Sequence, residues 1–328
     1  MAPDDATVDN GAARASAERV RRGTPLVVVA VGGNSLLRSH ELATLDRGRT
    51  RVDETCRALA EVAAAGVRLL VTHGNGPQVG AALRRTELAR DEVYPLPLDL
   101  CVASTQGEMG VLLQQALAAA LADRGIDAPV AALVSQAVVG RGDPAFRHPT
   151  KPIGLAGARR VVPSPEPLEI VEQPVVRALL DAGVIVIALG GGGVPVIRCG
   201  SRVEGIEAVV DKDLASALLA IRLGADLLVL VTDVDGVYLD FATPAARRLG
   251  EVTPRQLRRY AEDGHFPPGS MGPKVEAALR FATATGGEAV VTSVDRLSAA
   301  LAGEAGTRVV HETGAGWRWR SATSARSA

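Results

Sequence analysis

Two lysines in the second half of the chain stand where helices should begin. Lys212 follows Asp211 in EAVVDKDLASALLA, and Lys274 closes the loop HFPPGSMGPK. An ammonium is disfavoured at a helix N-terminus, where the backbone dipole is positive. An anionic ligand would hold such a lysine in place, and for Lys212 a local pair with Asp211 or Asp213 would do the same. The first half of the chain supplies complementary features. Gly32-Gly33-Asn34, Gly74-Asn75-Gly76 and Gly190-Gly191-Gly192-Gly193 each end an apolar run. Glycine lets backbone N–H groups approach a ligand unobstructed, and a helix starting just beyond favours an anion, most often phosphate. A tight strand-to-helix connection would need the same glycines. A fourth turn, from Thr232 to Tyr238, carries Asp233 and Asp235, which suit orienting a metal or a ribose, or capping the turn.

The elements that must position these groups follow from periodicity. Short Val-rich runs at 26–31, 67–72, 130–134, 184–189, 226–231, 288–291 and 307–310 alternate with helical patterns at 53–65, through 124, at 172–182, from 211, at 275–284 and at 294–302. Strand and helix in alternation predict an α/β fold around a mainly parallel sheet, with ligand turns at the carboxyl ends of its strands. In the long helix that ends near 124, Ser104, Thr105 and Gln106 read as caps. Between 140 and 163 periodicity is lost and Arg141, Arg147, His148, Lys151, Arg159 and Arg160 collect among Gly and Pro. That segment is either a lid over an acidic substrate or a solvated loop. Residues 1–24 and 313–328 are expected to be disordered extensions.

Composition narrows the classes. The 328 residues are 47% hydrophobic with a formal net charge of −1. No apolar run reaches the roughly 18 residues that span a bilayer, so no membrane partner is expected. Without a Lys/Arg block or an aromatic stacking platform there is no footprint for nucleic acid. Cys56, Cys101 and Cys199 lack metal-ligand spacing and read as thiols of a reducing cytoplasm, so no protein-held metal is expected. Asp4, Asp5 and Asp9 fall where a secretory signal needs an apolar core. Glycine turns, paired lysines and a basic loop suit phosphoryl transfer between two anions, where positioning and charge neutralisation carry the chemistry. The G-x-x-x-x-G-K-[ST], H-R-D plus D-F-G, and G-x-G-x-x-G patterns are missing.

The blocks VVVAVGGNSLL, VTHGNGPQVG, PLDLCVASTQGEMG, PTKPIG, RRVVPSPEP, ALGGGGVPVI, GIEAVVDKDLA, LVTDVDGVYLDF and HFPPGSMGPKVEAA strongly resemble the carbamate kinases of the amino acid kinase superfamily, from about Val27 to Val310. The resemblance implies a three-layer sandwich with two lobes around a cleft: residues 25–205, with 140–163 as lid, bind carbamate or carbamoyl phosphate, and 206–312 bind nucleotide. It implies reversible exchange of ATP plus carbamate with ADP plus carbamoyl phosphate, usually run towards ATP, with Mg²⁺, in a cytoplasmic homodimer. Carried onto this chain, Gly32, Gly33 and Asn34 would hold the transferred group, with Gly74, Asn75, Gly76, Gly191 and Gly192 around it and the carbamate. Lys212 and Lys274 would neutralise the phosphates, Asp213 would orient the lysines, and Lys151 would reach over from the lid. Thr232, Asp233, Tyr238 and Met271 would line the nucleotide side. Only residues 155–158 separate the PTKPIG and RRVVPSPEP blocks, where relatives carry a longer insertion. The alternatives are a kinase of another small carboxylate or phosphate, or a low-activity nucleotide-binding regulator.

Overall fold

The computed structural model describes residues 23–33, 36, 45–154, 160–266, 269 and 271–310. The extension through 22, Asn34, Arg159 and the tail from 313 lie outside the described residues. Eight strands form one sheet in the order Glu251–Val252, Thr307–Val309, Glu288–Thr292, Leu227–Val231, Leu26–Val31, Arg68–His73, Ile185–Ala188 and Val130–Ala132. Neighbours run parallel except Glu288–Thr292 against Thr307–Val309. The sheet is continuous across residue 205, because Val27 pairs with Leu227 on one side and with Leu69 on the other.

The unbroken apolar runs have a direct cause. A parallel strand in mid-sheet is covered on both faces, so both sets of alternating side chains must be apolar. Leu26, Val28 and Ala30 face a core closed by helices Gln173–Asp181, Lys212–Leu223 and Met271–Thr285. Val27, Val29 and Val31 face a second core closed by Leu45–Ala64, Leu98–Ala122 and Leu297–Leu301. Helix, sheet and helix thus form the three layers. The turns after Val31, His73, Ala188 and Val231 emerge together at the carboxyl edge of four neighbouring parallel strands.

Two sequence expectations are corrected. The long helix starts at Leu98 with Pro97 at its N-cap, so Ser104, Thr105 and Gln106 lie inside it and cap nothing. The basic segment is not wholly irregular: Lys151–Ile153 and Arg160–Val162 form an antiparallel hairpin. This hairpin is docked at its base, where the Gly154 N–H donates to the Gly76 carbonyl at 3.2 Å. A Cβ on Gly80 would come within 2.0 Å of the Gly154 Cα, so helix Gly76–Leu88 and the hairpin touch backbone to backbone only because position 80 is glycine. Beneath, Ile153 and Val162 join Val79, Leu98 and Val102 in a third core. Beside it a four-stranded sheet runs in the order Arg202–Gly205, Val194–Cys199, Gln136–Val139 and Pro167–Ile170.

Candidate active site

A cleft of about 460 Å³ opens at the carboxyl edge of the sheet. Gly32, Gly33, Gly74, Asn75, Gly76 and Gly191 wall one side; Lys212, Asp213, Thr232, Asp233 and Lys274 line the other; Lys151 enters from the hairpin. The turns are close: a Cβ on Gly74 would lie 2.6 Å from the Gly33 nitrogen, so the second loop can meet the first only with glycine at 74. Gly192 stands behind the lining, where a Cβ would strike the Val210 carbonyl at 2.6 Å. Tyr238 and Met271 are outside the cleft lining as well. The Tyr238 hydroxyl donates to Asp235 at 2.7 Å, and Met271 packs on the first core.

Of the two ways to hold Lys212 at its helix start, the local pair with Asp213 is present. The Lys212 ammonium lies 2.5 Å from one oxygen of Asp213, and the Lys274 ammonium lies 2.9 Å from the other. All three side chains are nearly buried, Lys274 being 9% exposed. Burial would raise the Asp213 pKa, but the two ammoniums hold it well below the usual carboxylate range. Burial pushes Lys212 down, against the attraction of Asp213 and with the repulsion of Lys274. Lys274 is also penalised by burial, yet Asp213, with Asp211 and Asp233 nearby, moves it up. One carboxylate thus holds two cations, leaving a net positive pole at the cleft floor.

Asp211, expected from the sequence as the cap of this helix, serves two ends. Its Oδ1 accepts from the Asp213 and Leu214 N–H groups at 2.9 and 3.4 Å, capping helix Lys212–Leu223, while its Oδ2 lies 2.5 Å from the Lys151 ammonium. The hairpin lysine is therefore tied to the cap of the helix that carries Lys212. The roles of His73, Thr105 and Gln106 were missed. A Cβ on Gly190 would meet the His73 ring at 2.8 Å and Gln106 Cγ at 2.7 Å, so these side chains back the third glycine turn. Their signal in sequence is faint, since buried polar residues inside a helix or strand read as caps or as chance. Among the described residues, no group of three His, Cys, Asp or Glu side chains is arranged to hold a metal ion.

The amino acid kinase family model matches residues 25–293. Carbamate kinase from Thermococcus kodakarensis is 43% identical, covering 87% of this chain and 99% of its own length. The chain belongs to the carbamate kinase branch of the amino acid kinase family. The carbamate kinase-like protein YahI of Escherichia coli is 42% identical over 87% of this chain and 98% of its own length. Among solved structures, carbamate kinase from Giardia lamblia bound to AMP-PNP superposes with a TM-score of 0.85 at 36% identity, covering 88% of this chain and 99% of that one. The alignment to the Thermococcus carbamate kinase runs over 313 positions while using 87% of this chain's 328 residues. That carbamate kinase therefore carries residues that this chain lacks.

Proposed function

We propose that the protein is an ATP:carbamate phosphotransferase that exchanges ATP and carbamate for ADP and carbamoyl phosphate. The observation that carries this reading is the Lys212–Asp213–Lys274 triad, buried at the floor of a cleft whose opposite wall is glycine backbone. Phosphoryl transfer needs charge neutralised on three moving oxygens more than it needs a base. A carbamate oxygen is already anionic; it forms the new P–O bond while the bond to the β-phosphate oxygen of ADP breaks, and ADP leaves with that electron pair. Lys212 and Lys274 stabilise the charge that spreads in the transition state, and Asp213 fixes their spacing. Backbone N–H groups of the turns at Gly33 and Gly74 hold the transferred group, the role that the resemblance also gives to Asn34. Lys151 covers it from the hairpin.

Nucleotide occupies the side lined by Thr232 and Asp233, with Tyr238 and Met271 at its periphery. Mg²⁺ would come with the nucleotide, whose phosphates supply anionic oxygen ligands that the ion would neutralise. That fits a donor set without a protein cage, in which Asp233 is the carboxylate on the nucleotide side. The free thiols of Cys56, Cys101 and Cys199 suit a reducing, cytoplasmic setting. A homodimer is supported by Val111 and Val134, exposed large apolar side chains near the sheet-edge strand Val130–Ala132, with Leu100 exposed on the same helix as Val111.

The direct competitor is a kinase of another small acid. Purified protein given Mg-ATP and, separately, carbamate (from ammonium bicarbonate), acetate, glutamate and UMP should release ADP above background with carbamate alone. Turnover with another acceptor and none with carbamate would refute the assignment.

A further inference from the structure

Asn75 sits at the mouth of helix Gly76–Leu88, 4% exposed, with its amide against Gly191. A Cβ on Gly191 would lie 2.0 Å from Asn75 Oδ1, so that glycine leaves the space the amide fills. The orientation of the amide is set from behind. Asn75 Nδ2 donates to Thr105 Oγ1 at 2.9 Å, and Thr105 is 1% exposed within helix Leu98–Ala122. The Thr105 hydroxyl lies 3.0 Å from both the Cys101 and Val102 carbonyls and spends its single proton on them. Its lone pair then accepts from an amide NH₂. With the amide reversed, the hydroxyl would have to turn its proton to the Asn75 oxygen and abandon the helix carbonyls, one hydrogen bond fewer in a buried site.

The consequence is that an acceptor, Oδ1, is the amide atom that lies against Gly191 in the cleft lining, on the wall opposite Asp233 and among groups that are mostly donors. The glycine turns offer N–H groups and Lys151, Lys212 and Lys274 offer ammoniums, while Asp211 and Asp213 are occupied by those lysines. We infer that Thr105 is a positioning residue that locks the Asn75 amide with its oxygen towards the cleft, so that the site selects an acyl group bearing an N–H over one bearing a methyl. This rests on the phosphotransferase reading above and deepens it by naming the element that distinguishes carbamoyl from acetyl.

The test compares wild type with Thr105→Val, which keeps the shape and removes the hydroxyl, and Thr105→Ser, which restores it. ATP formation from carbamoyl phosphate and Mg-ADP gives KM and kcat, and inhibition of that reaction by acetyl phosphate gives the affinity for the methyl analogue. Thr105→Val should raise the KM for carbamoyl phosphate about ten-fold, the worth of roughly one hydrogen bond. The acetyl phosphate inhibition constant should change less than about two-fold and kcat less than about three-fold, with Thr105→Ser near wild type. If Val is not tolerated by the fold, Thr105→Ala poses the same question without the added methyl. Equal weakening of both ligands, or an unchanged preference in a folded variant, overturns the inference alone. Wild type that makes no ATP from carbamoyl phosphate overturns the activity and this inference together.

Discussion

His73 ends the strand Arg68–His73 and is fully enclosed behind the glycine turn at 190. Burial, with the Lys212 charge added, lowers its pKa from 6.5 to about 4, although a hydrogen bond to the Gly74 carbonyl opposes this. Between those values the unfolded chain protonates the imidazole while the folded chain keeps it neutral. Stability must therefore fall as pH drops from 6.5 towards 4, by about 3 kcal/mol from this group, and change no further on its account below that. Urea unfolding of wild type and His73→Gln across this range should show the variant's curve flatter by about that amount; parallel curves would mean the ring is not held neutral. The lysines were legible because a cation at a helix start is conspicuous. His73 and Thr105 were not, nor was the pairing of the cap Asp211 with Lys151, because these depend on neighbours tens to over a hundred residues away. Lys274 shares Asp213 with Lys212 in a buried triad, where removing one partner costs far more than at a surface.

At the level of elements, the short hairpin resolves a question that motif spacing raised. Only residues 155–158 separate its two sequence blocks, yet the Lys151 strand is held by the contact of Gly80 with Gly154, by the Gly76 carbonyl, and by an ion pair of Arg160 with Glu87 at 2.5 Å. Gly80→Ala would force these backbones apart. It is expected to raise the KM for carbamoyl phosphate several-fold and to cost about 1–3 kcal/mol by crowding. Gly107→Ala, in helix Leu98–Ala122 with nothing within 4 Å of the new Cβ, should instead stabilise by about 0.5–1 kcal/mol without affecting turnover. Steady-state kinetics and urea midpoints of the two variants decide the point; like behaviour would show that the hairpin does not depend on this contact. The strands were readable because fully buried parallel strands are apolar on both faces. The hairpin was not, because its strands are three residues each and their pairing is set by docking onto a distant helix.

At the scale of the whole molecule, one sheet carries the glycine turns and the Thr232–Asp233 turn of the cleft, while Lys212 and Lys274 come from two helices packed on one face of that sheet. Sequence periodicity indicated the parallel sheet but not its strand order, which depends on which crossovers pack. The same sheet ends at Val130–Ala132, where helix Leu98–Ala122 turns Leu100 and Val111 outward. Val111→Asp should halve the mass seen in sedimentation at micromolar protein; wild type and variant sedimenting alike would place the subunit contact elsewhere or remove it. The central claim is that charge held by the buried triad moves a phosphoryl group between carbamate and nucleotide. Its most direct test is the rate of ATP formation from carbamoyl phosphate and Mg-ADP by wild type and by Lys212→Ala, with folding of both checked by thermal melting. Robust ATP formation by wild type and a fall of at least about a hundred-fold in the folded variant are predicted. Equal rates, or no ATP from wild type, would contradict the account.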